Sequence, residues 1–83
     1  MADATQYYQQ ALTAEADGRR SDAIRLLSRA VEADNDYLDA WVKLAELMPD
    51  GDDKYDVLEQ IIALDPDNTF AQREWDRLER NDP

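Results

Sequence analysis

The sequence has no cysteine and no histidine. The first absence excludes disulfides and thiolate metal sites. The second removes the commonest general base, the commonest transition-metal ligand and the usual proton switch near neutral pH. Glycine occurs twice and proline three times, so there is no glycine-rich phosphate loop. Positive charge is scarce as well. Nine Lys and Arg stand against 20 Asp and Glu, leaving a net charge of −11 over 83 residues. Such a chain repels nucleic acid and anionic membrane surfaces at long range and attracts basic partners. The longest apolar run, Ile61 to Leu64, is far short of the roughly 18 residues that a membrane span needs. The start, "MADATQYYQQ", carries neither the basic segment nor the apolar core of a secretion signal. A cytoplasmic protein without cofactor, metal, nucleic acid or membrane partner is expected.

What remains is helical periodicity almost throughout. Tyr7, Tyr8, Ala11 and Ala14 mark a first helix over about Ala4 to Ala16, closed by Gly18, where a left-handed cap suits glycine. Ala23, Ile24, Leu27, Ala30 and Val31 mark a second helix from about Arg20 to Ala33, ended by "DND". Asp36 is the expected N-cap of a third helix, with Asp39 three residues on. That helix carries Leu38, Trp41, Leu44, Ala45 and Met48 on one face and stops at Pro49. A fourth helix runs from about Asp53 to Leu64, with Tyr55, Leu58, Ile61 and Ile62 inward. Asn68 caps a fifth, whose stripe is Ala71, Trp75 and Leu78. No segment alternates like a half-buried strand. Short connections make neighbouring helices antiparallel. The register of Trp41 with Leu44, and of Trp75 with Leu78, assigns both tryptophans to packing rather than ligand stacking.

The stretch "MPDGDDKYDVLE" (Met48 to Glu59) crowds acidic residues around one glycine. An EF-hand loop needs oxygen ligands at its first, third and fifth places, glycine at the sixth and glutamate at the twelfth. Counted from Asp50, the fifth place is Lys54, the sixth Tyr55 and the twelfth Ile61. Counted with Gly51 at the sixth place, the third is Met48 and the twelfth Val57. Neither register binds calcium. The stretch reads as a turn, with Asp52 and Asp53 at the positive end of the fourth helix.

The strongest signal is repetition. Shifted by 31 residues, "AIRLLSRAVEADND" falls on "KYDVLEQIIALDPD", so that Leu27 meets Leu58, Ala30 meets Ile61 and Asp34 meets Asp65; Ala40 then meets Ala71. Shifted by 34, Tyr7 meets Trp41 and Ala11 meets Ala45. The sequence resembles the tetratricopeptide repeat family, whose pattern runs W-x2-L-G-x2-Y, A-x3-F, P. The second repeat reads Trp41-x2-Leu44-Ala45-x2-Met48, Lys54-x3-Leu58, Pro66; the first reads Tyr7-x2-Gln10-Ala11-x2-Ala14, Ala23-x3-Leu27, with Asn35 in place of the proline. Two positions depart from the pattern: Gln10 replaces an apolar residue and Lys54 a small one. The turn of the second repeat also counts three residues short.

The resemblance implies an all-α fold, a short right-handed α-α superhelix of five antiparallel helices in one domain, 1–83. Repeat 1 would cover about 4–36, repeat 2 about 37–68 and a closing helix about 69–80. It also implies a non-enzymatic interaction module. The first helix of each pair and the closing helix would line a concave groove. Its lining would be Thr5, Tyr8, Leu12 and Glu15, then Asp39, Val42 and Glu46, then Arg73 and Arg77. Tyr8 and Leu12 read equally as groove floor or as part of a thin core. With Asp39 and Glu46 as negative walls, a basic and apolar peptide or protein is the expected partner. The family's carboxylate clamp uses lysine and asparagine that the matching places lack, so acidic peptide tails are not expected. The alternative function is self-association into a homodimer or higher assembly through the ends of the array, using the basic stripe Arg73, Arg77 and Arg80. Catalysis is not expected, because Ser21, Ser28, Thr5, Thr13 and Thr69 have no histidine to activate them.

Overall fold

The computed structural model describes residues 3–81, and within them lie five α-helices and no strand. They are α1 (Ala4–Ala16), α2 (Arg20–Ala33), α3 (Leu38–Leu47), α4 (Asp52–Leu64) and α5 (Thr69–Asn81). Consecutive helices pack on one another, most extensively α1 on α2. None is long and apolar enough to cross a membrane.

Each boundary has a local cause. The carboxylate of Asp3 accepts from the Gln6 N–H at 2.9 Å, and the Gln6 side chain accepts from the Asp3 N–H at 3.0 Å. This reciprocal pair satisfies two otherwise orphaned donors at the start of α1. The helix ends in a Schellman turn. The Gly18 N–H reaches the Glu15 carbonyl and the Arg19 N–H the Ala14 carbonyl, with Gly18 at φ 79°. Asn68 caps α5 as expected, accepting from the Ala71 N–H at 2.9 Å.

Asp36 does not cap α3. Asp34 accepts the Asp36 N–H on its carboxylate and the Tyr37 N–H on its carbonyl. That closed turn moves the cap to Tyr37, which makes no side-chain capping bond. The cap of α4 is Gly51, at φ 156°, and the helix starts at Asp52, one residue before the expected Asp53. The three missing residues of the second pair are also not in its turn. They come out of α3, which has 10 residues against 13 in α1. Pro49 stops that helix, because it forces Met48 into extended geometry, at ψ 144°. Arg20 of α2 then caps it from outside, donating Nε–H to the Leu47 carbonyl at 2.7 Å.

The turns 34–37 and 65–68 repeat each other in detail. Asp34 and Asp65 end their helices with N–H bonds to Ala30 and Ile61, and their carbonyls accept from Tyr37 and Asn68. The indole Nε1–H of Trp41 donates to the Asn35 carbonyl at 2.7 Å. Thirty-one residues on, the Gln72 amide makes the same bond to the Pro66 carbonyl at 2.6 Å.

Leu27, Leu58 and Ile61 are the largest fully buried side chains, and Ala11, Ala14, Ala23, Ala30, Ala40, Ala45 and Ala71 fill the crossings between them. Val57 and Leu47, absent from the expected stripes, are buried too. Trp41 and Trp75 pack against this core half-buried. They sit at its rim because each indole N–H must reach an acceptor, Asn35 for Trp41 and Glu79 for Trp75. Leu27→Ala is expected to cost about 2–5 kcal/mol, the range for truncating a buried leucine. Urea unfolding followed by circular dichroism reads it, and an unchanged midpoint would contradict the packing described.

Candidate functional site

Helices α1 and α3 present a common face. Tyr8 of α1 packs on Tyr37 with ring centroids 5.2 Å apart and the planes tilted by 38°. Lys43 of α3 reaches back to Glu15 of α1 at 3.3 Å and along its own helix to Glu46 at 3.3 Å. Burial pushes the Tyr8 phenol above its ordinary pKa, and Asp39 adds to the shift while Lys43 opposes it. For Lys43 burial works downward, but its hydrogen bonds to Glu46 and Glu15 outweigh burial and hold the ammonium above its usual range. Six charged or phenolic groups therefore meet here: Tyr8, Glu15, Tyr37, Asp39, Lys43 and Glu46. The single cation is satisfied by two carboxylates, which leaves Asp39 to set a negative sign.

The other groove candidates are placed as follows. Thr5 is exposed, and Leu12 and Val42 are half-buried. Arg73 is exposed on α5 and has no ion-pair partner among the described residues. Arg77 is tied into its own chain. Its guanidinium grips Asp50, in the α3–α4 turn, by two bonds of 2.8 and 3.0 Å, and Glu74 by two of 3.0 Å. Of the basic stripe on α5, only Arg73 and Arg80 lack such a partner among the described residues.

Beneath Arg77 lies Lys54, the residue that stands where the repeat pattern has alanine. Its side chain is 5% exposed, yet its ammonium is 2.9 Å from Glu74 and 3.3 Å from Asp50. A long aliphatic stem lets lysine occupy a buried position if its head finds partners. The only sequence signal for this cluster is the misfit of Lys54 to the small-residue place. Hydrogen bonds from Arg77 and then Lys54 hold Glu74 at about 2, and those from Arg77 hold Asp50 at about 2.

No group of three or more metal-ligating side chains gathers among the described residues. A family model described as tetratricopeptide repeat matches residues 3–47, more than half of the chain. The chain belongs to the tetratricopeptide repeat family. No curated protein and no solved structure matches it significantly. The matched segment holds α1, α2 and α3 and stops before Lys54, where the tetratricopeptide pattern is broken. Repeats of this family generally mediate protein–protein interaction and are typically not enzymes.

Both carboxylates of the Lys54 cluster have folded pKa values below their ordinary 3.8 and 4.5. A depressed carboxylate stabilises the fold above its unfolded pKa and loses that contribution as pH falls toward the folded value. Glu74→Gln should lower stability at pH 7 by about 1–3 kcal/mol, the scale of charge-assisted hydrogen bonds. The gap to the parent protein should shrink between about pH 4.5 and 2. Thermal melts of both proteins across that window read it. A gap independent of pH would assign the loss to packing instead.

Proposed function

We propose that this tetratricopeptide protein is a non-enzymatic adaptor whose α1–α3 face, continued toward α5, receives a basic and apolar segment of a partner protein. The observation that carries the reading is the meeting of Tyr8 and Tyr37 with Glu15, Asp39 and Glu46 around one neutralised lysine. Half-buried rings offer flat apolar area at low entropic cost. Carboxylates beside them select a cationic partner and exclude an acidic one. Leu12 and Val42, half-buried on the same two helices, extend the apolar floor, and Thr5 and Arg73 mark its outer limits. The net charge of −11 steers the encounter in the same direction. Self-association through the basic stripe of α5 is the weaker reading, since Arg77 spends its guanidinium on Asp50 and Glu74 of its own chain.

A random peptide library probed with the purified protein tests the proposal. Retained peptides are expected to be enriched in lysine or arginine next to apolar residues. Asp39→Lys combined with Glu46→Lys should reduce their binding about tenfold or more, as for like charges brought together at an interface. The helical circular dichroism spectrum should be kept. Selection of acidic peptides, or full binding by the double variant, would overturn the reading.

A further inference from the structure

On another side of α3, away from Tyr8 and Glu46, a cavity of about 470 Å³ opens between α3, α4 and the turn before α3. It is lined by Asn35, Trp41, Asp56, Val57 and Gln60, none of which belongs to the groove set. We propose that this cavity is a second, separate binding site, an anchor pocket for an arginine side chain of a partner segment.

Three observations combine. Trp41 is held in place by its Nε1–H bond to the Asn35 carbonyl. That bond uses the edge of the indole, and no cation of the described residues lies on its face. Trp75, by contrast, is already taken up by Tyr55, 5.0 Å away in a T-shaped arrangement, and by Glu79. Asp56 is exposed and has no ion-pair partner among the described residues, although the other acidic groups around it compete for few cations. Finally, the fold does not demand these residues. Gln72 makes the Trp41 turn bond without an aromatic ring. The places of Asp56 and Gln60 are filled in the first repeat by Arg25 and Arg29, 31 residues earlier. An aromatic wall, a free carboxylate and an amide oxygen at one mouth suit a planar guanidinium. It can stack on the indole while donating to Asp56 and to the Gln60 carbonyl oxygen. An ammonium fills the same charge with less contact.

The test is an NMR titration of the full chain with N-acetyl-arginine amide, followed at the Trp41 indole N–H and the Val57 and Gln60 amides. N-acetyl-citrulline amide serves as the neutral isostere. Saturable shifts at those signals with the arginine compound, and none with citrulline, are expected. Asp56→Asn should weaken binding about fivefold, the scale of one exposed cation–π or ion-pair contact. Glu59→Gln, an equal change of net charge on the same helix, should leave it intact. Equal response to both compounds, no saturable shift, or an Asp56→Asn protein that binds as well as the parent would overturn the proposal. The Asp39→Lys, Glu46→Lys protein keeps the pocket, so the pocket and the groove can fail independently.

Discussion

Alanine at the helix crossings sets how near two neighbouring helices can come, and the rest of the fold follows from that spacing. The buried residues of α1 are Ala11 and Ala14 alone, yet its packing on α2 is the most extensive in the molecule. Beyond the half-buried Tyr7, Tyr8 and Leu12, the fully buried part of α1 is methyl groups, which gain little from transfer out of water. It gains from many short-range contacts along the crossing, which small residues permit by bringing the backbones together. Ala23 and Ala30 answer from α2, and Leu27 fills the space left between them. The same arrangement recurs as Ala40, Ala45, Leu58 and Ala71. A thin core in a chain this short buries a modest share of its surface, so a single lost methyl is felt.

Lys54 shows what happens when one crossing lacks its alanine. Its stem takes the room of a small residue plus more, and its head cannot be left bare at that depth. The structure meets this with Asp50 from the turn and Glu74 from α5, and Arg77 closes the ring over both. A buried pair of this kind fixes geometry more than it adds stability. Here it holds the closing helix to the α3–α4 turn, which is the part of the chain where the repeat pattern is weakest. The shortened α3 and the buried lysine are neighbouring departures. With α3 ended at Leu47, Asp50 lies in the turn before α4, where its carboxylate comes within 3.3 Å of the Lys54 ammonium.

Much of this was legible in the sequence. Apolar spacing located the five helices, and Gly18 and Asn68 marked their ends through chemistry that is local to a few residues. The errors lie where two local options competed. Asp34 and Asp36 could each have closed the turn before α3, and the upstream one took the hydrogen bonds. A missing stretch of three residues reads the same in sequence whether a turn or a helix loses it. Only the packing of α3 decides it. The tryptophans were assigned to the core by register, but register is blind to the indole N–H, whose partner holds each ring at the rim. The candidate groove was legible where it rests on helix faces, as for Tyr8 and Glu46. Lys43 and Tyr37 were missed because Glu15 and Tyr8, the partners that bring them to this face, lie on α1. For Arg77, pairing with Glu74 on its own helix was legible from spacing, whereas Asp50, 27 residues earlier, gives no sequence signal of its approach.

The distribution of the few cations is what gives the surface its sign. Lys43 is neutralised by Glu15 and Glu46, Lys54 and Arg77 by Asp50 and Glu74, and Arg19 and Arg25 by Asp17 and Asp22. Arg20 is spent on the end of α3. Six of the nine cations are thus engaged within the chain, four of them between separate elements, while aspartates such as Asp39 and Asp56 stay unpaired among the described residues. A fold that uses its cations internally projects a negative field from the faces that remain. Those faces carry Tyr8, Tyr37 and Trp41, rings that are half-buried rather than sealed in the core. Negative charge without apolar area would give solubility only, and apolar area without charge would give indiscriminate sticking. Their coincidence on two sides of α3 is what the proposed recognition of basic segments rests on.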